Sequence, residues 1–588
     1  DTFNVTDGVT LTGMIDGGDH GAGDTLSFAL STSSIAFPAG LVTNVENLTG
    51  SGAGDDTIVG TDGNDVFEID GSDSGTINGA VFTGFANLEG GLGNDSFQFT
   101  DDAGSLTGSV EGGSGTDTFG FNGVTTGVAI ALSGAGGTDG FNGDETGGAL
   151  SGFVNINVLE GSQAGSDTLT GLDLNSTWTL DTTSTYASAG SSVEFTLDPT
   201  NGFESLIGQS MDDVFDVISS RTANITAADG ADELNLATGA TLTGSVTTGA
   251  GDDLFTFGTG AMLDGSLDAG TDLDTLDFSA SSTDVAIALT AANVAGGFDG
   301  TASALTSGEF AGINEIGGGS AINSLTGLDT DSTWTIGLAD TYEEDSDPAN
   351  VLNFSNIGSA IGGTAVDSFR VNSSTSLSLS GGDGADTFDV VGTANVTGAL
   401  NGDAGDDVFT FTGAAIVPST LDGGADNDTV DFSTSITAVS INLDSFTNVE
   451  MVAGTSISDT ITGSTGDDAF TVTSNDNGTV LSGVTGVTTT FVDFENLAGG
   501  AGNDDFVIND TFGLSGGIDG GSDTDTVDYS GYTTGVTVNL ATGAATNIAG
   551  GVSTINNVIG GAMGDALTGD AGNNSLVGNA GDDTLADG

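Results

Sequence analysis

The chain has 588 residues, of which 84 are acidic and two, both Arg, are cationic besides a single His, so its formal net charge is -82. That balance excludes nucleic acid, anionic membranes and acidic substrates as natural partners, because each requires a basic surface, and it favours cations or a basic partner. A hydrophobic share of 36% with 32 Phe excludes a simple acidic tail, 100 Gly without a G-x-y period exclude collagen, and the absence of Cys excludes disulfides.

The first residues, "DTFNVTDGVT", are not a signal peptide, and the pattern that fills the chain is already under way there. We therefore expect a processed product or an ordered segment of a longer protein. No apolar run approaches the ~20 residues of a membrane span. From "SGAGDDTI" and "GTDGNDVF" onward, Gly/Asp-rich turns alternate with short runs in which apolar residues occupy every second place, as in "GGLGNDSFQF" (Gly90 to Phe99). Period two predicts strands with one buried face, and the abundance of Gly, Thr and Asp disfavours helix.

The unit is clearest at Asp386 to Asp406, "DTFDVVGTANVTGALNGDAGD", which is followed by a second 21-residue copy from Asp407 to Asn427. The same step joins Glu233–Asp253 to Leu254–Asp274. A longer period overlies it: "LTGLDLNSTWTL" (Leu169 to Leu180) returns as "LTGLDTDSTWTI" (Leu325 to Ile336). A third signature, "VENL", "FANL", "FESL", "INEI", "FSNI", "FTNV", "FENL" and "INNV", usually precedes a Gly/Asp turn. Repetition at this scale predicts stacked units, each covering its neighbour's open face. The expected fold is all-β: a parallel β-solenoid (β-roll or β-helix) with rungs of about 21 residues and Gly/Asp turns. The long repeats suggest segments 1–168, 169–324, 325–460 and 461–588, the last being shorter and lacking the Trp element.

Turn chemistry points to a hard cation. Gly permits tight turns with converging carbonyls, Asp adds a short carboxylate, and Ca²⁺ takes six to eight such oxygens at roughly 2.3–2.6 Å. Softer metals would want Cys or His. The pattern GGxGxDx followed by a large apolar residue resembles the haemolysin-type calcium-binding (RTX) nonapeptide. Full matches are "GGLGNDSF", "GGSGTDTF", "GGDGADTF" and "GGAGNDDF", with near matches such as "TGAGDDLF" and "GNAGDDTL". The resemblance implies Ca²⁺ bound between coils of a β-roll, and export from a Gram-negative bacterium by a type I route. It implies metal roles for the sixth-position acids Asp56, Asp65, Asp95, Asp117, Asp253, Asp386, Asp407, Asp468, Asp504 and Asp583. Tandem nine-residue spacing occurs only at Gly50 to Phe67, near Thr462 to Phe470 and at Gly569 to Leu585, so one calcium edge and one bare edge are expected. "GGADNDTV" and "GGSDTDTV" carry Asp at the fourth place and are expected to bind differently or not at all; Asn574 stands where the Asp would be.

The plainer readings are that single Gly/Asp turns are ordinary loops, that the acidity is adaptation to high salt, that Trp178 and Trp334 are core or cap residues, that His20 sits in a surface turn, and that the Asn of the "FENL" set stacks inside the rod. Carboxylate pairs aside, no constellation of nucleophile, base and charge stabiliser stands out, so catalysis is not expected. The functional expectation is an extracellular or cell-surface structural protein, stabilised by several Ca²⁺ and self-associating into a filament, surface layer or biofilm matrix, with a cell-surface polysaccharide as a further partner. A stalk or binding region of a large secreted adhesin, or an accessory region of an exported enzyme or toxin, are the alternatives.

Overall fold

The computed structural model describes all residues except 20–22, 189, 196, 198–201, 415 and 417, so His20 lies outside the described residues. The described residues form short strands and two three-residue 3₁₀ helices. Two compact units are distinguished: Asp1–Val285 with Ala292–Ala321, and Ala286–Ala291 with Ile322–Gly588. Each is a parallel β-solenoid.

A rung of the second unit shows the construction. Ser378–Asp383 leads through the Gly/Asp turn into Thr387–Val390, and the next rung repeats this as Leu400–Ala404 and Val408–Phe411. The strands pair in parallel and in register, with Phe388 opposite Phe409 and Leu379 opposite Leu400. Rungs stack every 21 residues here, every 19 between Asp213 and Asp232, and every 18 between Asp565 and Asp583. Longer rungs exist as well, 30 residues between Asp65 and Asp95 and 36 between Asp468 and Asp504. Their extra residues form antiparallel strands threaded into the sheet, such as Ser74–Ile77 between Val66–Gly71 and Ala80–Thr83.

Alternation decides what is inside. In Asp386-Thr387-Phe388-Asp389-Val390, residues 386, 388 and 390 are buried, while Thr387 and Asp389 face outward. The inward Phe side chains stack rung upon rung: Trp334, Phe369, Phe388 and Phe409 form one column with centroid separations of 5.5, 4.9 and 4.6 Å and interplanar angles of 13°, 5° and 10°. Phe67–Phe97 and Phe470–Phe506 repeat the arrangement at 4.7 and 4.9 Å.

The two Trp elements are core. Trp178 lies opposite Tyr186 on an antiparallel strand and Phe215 on the next rung, and Trp334 repeats this with Tyr342 and Phe369. All four Trp and Tyr rings are fully buried. The Tyr hydroxyls accept the Leu172 and Leu328 N–H groups. A Cβ at Gly171 or Gly327 would lie 2.8–3.0 Å from these rings, which explains the shared "LTGL".

Removing one ring from the Phe column leaves a cavity between two neighbours that cannot collapse, at a cost of about 3–5 kcal/mol. Phe388→Ala is expected to lower the urea midpoint correspondingly, while Thr387→Ala, on the outer face, leaves it nearly unchanged. Equal effects would refute the assignment of faces.

Candidate cation-binding ladders

The Asp that closes each Gly/Asp turn points inward, two residues ahead of the buried Phe or its equivalent. Of the ten sequence-predicted acids, nine (Asp56, Asp65, Asp95, Asp117, Asp253, Asp386, Asp407, Asp468 and Asp504) are at most 2% exposed; Asp583 is half-buried. Within a run, the Asp N–H donates to the Oδ1 of the Asp one rung on. Asp386 donates to Asp407 at 2.7 Å and Asp407 to Asp428 at 2.9 Å. Asp65 donates to Asp95 and Asp95 to Asp117, both at 2.8 Å. Asp213, Asp232, Asp253 and Asp274 form a third run, and Asp468, Asp504 and Asp525 a fourth.

The second carboxylate oxygen divides the turns into two sets. In one set it is capped by the turn's own main chain: Ser51, Thr61 and Ser464 N–H groups donate to Oδ2 of Asp56, Asp65 and Asp468 at 2.5–2.6 Å, with hydroxyl support from the same residues. Asp167, Asp213, Asp367, Asp459 and Asp565 are held likewise by Ser162, Gln209, Gly363, Thr455 and Gly561. In the other set Oδ2 is buried with no hydrogen-bond partner among the described residues: Asp24, Asp95, Asp117, Asp232, Asp253, Asp274, Asp386, Asp407, Asp428, Asp504 and Asp525. The difference lies in one backbone angle. The turn's second residue, the one after its opening residue (four before the Asp, five before Asp56 and Asp167, six before Asp24), has positive φ throughout the second set, from 75° at Asp403 to 110° at Gly424, and at no turn of the first. Pairing also runs through the turn in the second set, with Gly91 opposite Gly113, Gly382 opposite Asp403 and Gly500 opposite Gly521. The peptide that caps the carboxylate in the first set is committed to rung-to-rung pairing in the second.

The Gly that opens the motif is required by contact with this carboxylate. A Cβ at Gly90, Gly381, Gly402 or Gly499 would sit 2.2 Å from the Oδ2 of its own turn's Asp.

The ladders end on a Glu or Asn, mostly of the third sequence signature. Asp428, Asp459, Asp167 and Asp24 donate to the carboxylates of Glu450, Glu495, Glu204 and Glu46 at 2.6–2.9 Å. Asp117, Asp274 and Asp525 donate to the amide oxygens of Asn157, Asn314 and Asn556 at 2.9–3.1 Å. In "FENL" the Glu thus stands in for the next Asp. Its Asn does not stack inside: Asn496 is half-buried, donates to the Asp459 carbonyl at 2.9 Å and accepts the Gly517 N–H at 3.0 Å, bridging rungs. A turn backbone already provides N–H and C=O groups at this level, so the amide works between rungs.

Burial dominates the electrostatics. It pushes the carboxyl pKa up to about 6 for Asp95 and Asp428, about 7 for Asp274, Asp386, Asp407 and Asp504, and about 8 for Asp232; neighbouring carboxylates raise it further, and the accepted N–H bond opposes the rise. Among the described residues no three acidic or His side chains converge as a metal site by themselves, so a cation on a ladder would take main-chain oxygens too. A hard cation fits the donor set: carboxylate oxygens, buried and without a hydrogen-bond donor, in a strongly negative setting.

Sequence reasoning missed three acids with an uncapped oxygen, Asp24, Asp232 and Asp274, and set the turns of Asp428 and Asp525 apart as binding differently or not at all. It also missed the capped Asp167, Asp213, Asp367, Asp459 and Asp565. A relaxed pattern, an Asp two residues before an inward apolar side chain and four after the turn's second residue, would have found nearly all of them. No protein-family model matches the chain, and no curated protein matches it.

A carboxyl whose pKa is higher in the fold than in the unfolded chain binds its proton more tightly when folded. Its contribution is complete below the unfolded value and lost as pH rises through the folded value. The metal-free chain is therefore expected to gain stability as pH falls from about 8 to about 5. The Asp386→Asn, Asp407→Asn double variant, with surface charge kept, should show a shallower gain. Urea midpoints across this range that are flat, or equally steep in the variant, would refute the buried charge.

Proposed function

We propose that the chain is an extracellular, calcium-stabilised structural protein that self-associates into a filament, surface layer or biofilm matrix. One observation carries the reading: among the described residues, eleven buried Asp Oδ2 atoms along the turns have no hydrogen-bond partner. A buried charge left unpaired is costly, and metal-binding energy is then folding energy. When bound, Ca²⁺ would supply positive charge and hard-oxygen coordination at Asp95, Asp117, Asp253, Asp386, Asp407 and Asp504. In a calcium-poor cytoplasm, repulsion among the acids would keep the chain open for export; outside the cell, calcium would let the rungs close. The near absence of cationic side chains, Arg221 and Arg370 alone, suits a surface that attracts cations and few other partners.

The role is structural, not catalytic. Most of the buried acids belong to the repeating ladders, where their carboxylates accept main-chain N–H groups. One open groove of about 420 Å³, beside Asp476, Thr511 and Asn547, brings a single carboxylate and no base to pair with it.

Electron microscopy of the purified chain with calcium and after a chelator tests the reading. Ordered filaments or sheets that dissolve on chelation are expected. Separate particles that unfold on chelation yet never assemble would replace self-assembly by an adhesin-stalk role. Indifference to the chelator would overturn calcium stabilisation.

A further inference from the structure

Resemblance to the nonapeptide motif and the geometry of the turns select different acids, and the disagreement is informative. Asp56, Asp65 and Asp468 lie in near matches to the motif, but their Oδ2 atoms are already satisfied by Ser51, Thr61 and Ser464. Asp232, Asp274, Asp428 and Asp525 lie in "AADGAD", "AGTDLD", "GGADND" and "GGSDTD", which depart from it. Their Oδ2 atoms are buried and without a hydrogen-bond partner, in residues no more than 1% exposed.

The departures keep φ positive at both special places of the turn, at smaller values. Where the motif has Gly at its fourth place, Gly384 and Gly405 adopt φ of 134° and 131°. Asp272, Asp426 and Asp523 take that place with φ of 86°, 81° and 77°. Asp is among the few side chains that enter the left-handed region at modest cost. At the second place, Ala228 reaches 80° where Gly249 and Gly382 reach 106° and 99°. Asp at the fourth place thus keeps the positive φ and leaves Oδ2 uncapped, as in the consensus turns.

We infer that the φ of the turn's second residue, not the motif, selects the cation-binding turns: positive φ with a buried, uncapped Oδ2 marks Asp232, Asp274, Asp428 and Asp525 as divalent-cation ligands and leaves Asp56, Asp65 and Asp468 without metal. This rests on the calcium reading above. Binding is then confined to four short runs: Asp95–Asp117, Asp232–Asp253–Asp274, Asp386–Asp407–Asp428 and Asp504–Asp525. A capped carboxylate (Asp65, Asp213, Asp367 or Asp468) precedes each run. An Asn or Glu closes each run at its other end. Asp24 is set apart because its turn includes residues 20–22, and Asp583 because its carboxylate is only half-buried.

The test uses the wild-type chain crystallised with terbium in place of calcium. Anomalous peaks are expected beside Asp232, Asp274, Asp428 and Asp525 as well as Asp95 and Asp386, with none beside Asp56, Asp65 or Asp468. Peaks that follow the motif, or that occur at every turn, would overturn the inference and leave calcium binding standing. Native mass spectrometry with calcium gives a second readout. Asp428→Asn is expected to bind at least one ion fewer per chain, and Asp459→Asn, in a capped turn, the same number as wild type. Equal counts in both variants would refute the selection rule. No calcium uptake by the wild-type chain would overturn the functional reading itself.

Discussion

One interaction organises these turns: a main-chain N–H at the start of one strand donating to a carboxylate oxygen from the next rung. It places a carboxylate in the interior once per rung, which is expensive unless the charge is met. Asp386, Asp407 and Asp428 meet half of that demand from their neighbours' peptides. The remaining half is met in two ways, by a peptide of the same turn or by nothing in the protein. The opening Gly of each consensus turn and the Glu or Asn that ends each run follow from this arrangement.

The apolar side of the fold is tied to the same register. Side chains alternate along a strand, so an Asp that turns inward carries the residue two places later inward as well. Asp95 with Phe97, Asp386 with Phe388 and Asp504 with Phe506 are therefore one structural unit each, and their rings stack because their carboxylates stack. A register slip would move both to the outside together. Stability in such arrays is mostly a sum of neighbouring contacts, so each rung depends on the one before and the one after. The antiparallel strands around Tyr186 and Tyr342 interrupt the repetition without breaking it, since Trp178 and Trp334 still take the place of Phe in the column.

Charge is the opposing force. With a formal net charge of -82, cations near the surface stabilise any compact form of this chain, and high salt would do so without specific sites. The buried oxygens differ from that background. They are shielded from bulk ions, and their pKa is raised chiefly by burial, so screening by salt acts on them least.

The period-two runs, the 21-residue step and the Gly/Asp turns determined the all-β solenoid from sequence alone, because they are local statements about which side chain faces in. The same step identified half of the ladder acids, and Trp178 and Trp334 as core or cap. Tertiary structure decided the rest. Whether an Asp has one free oxygen or none goes with the backbone angle at its turn's second residue, and several residue types satisfy either value: Ala228 and Asp403 adopt it without being Gly, while Gly363 and Gly561 do not. The meaning of "FENL" was likewise hidden, since Glu495 acts on Asp459, 36 residues earlier in the chain and one rung away in space. Sequence reports which residues recur; only stacking reports which of their atoms remain without a partner.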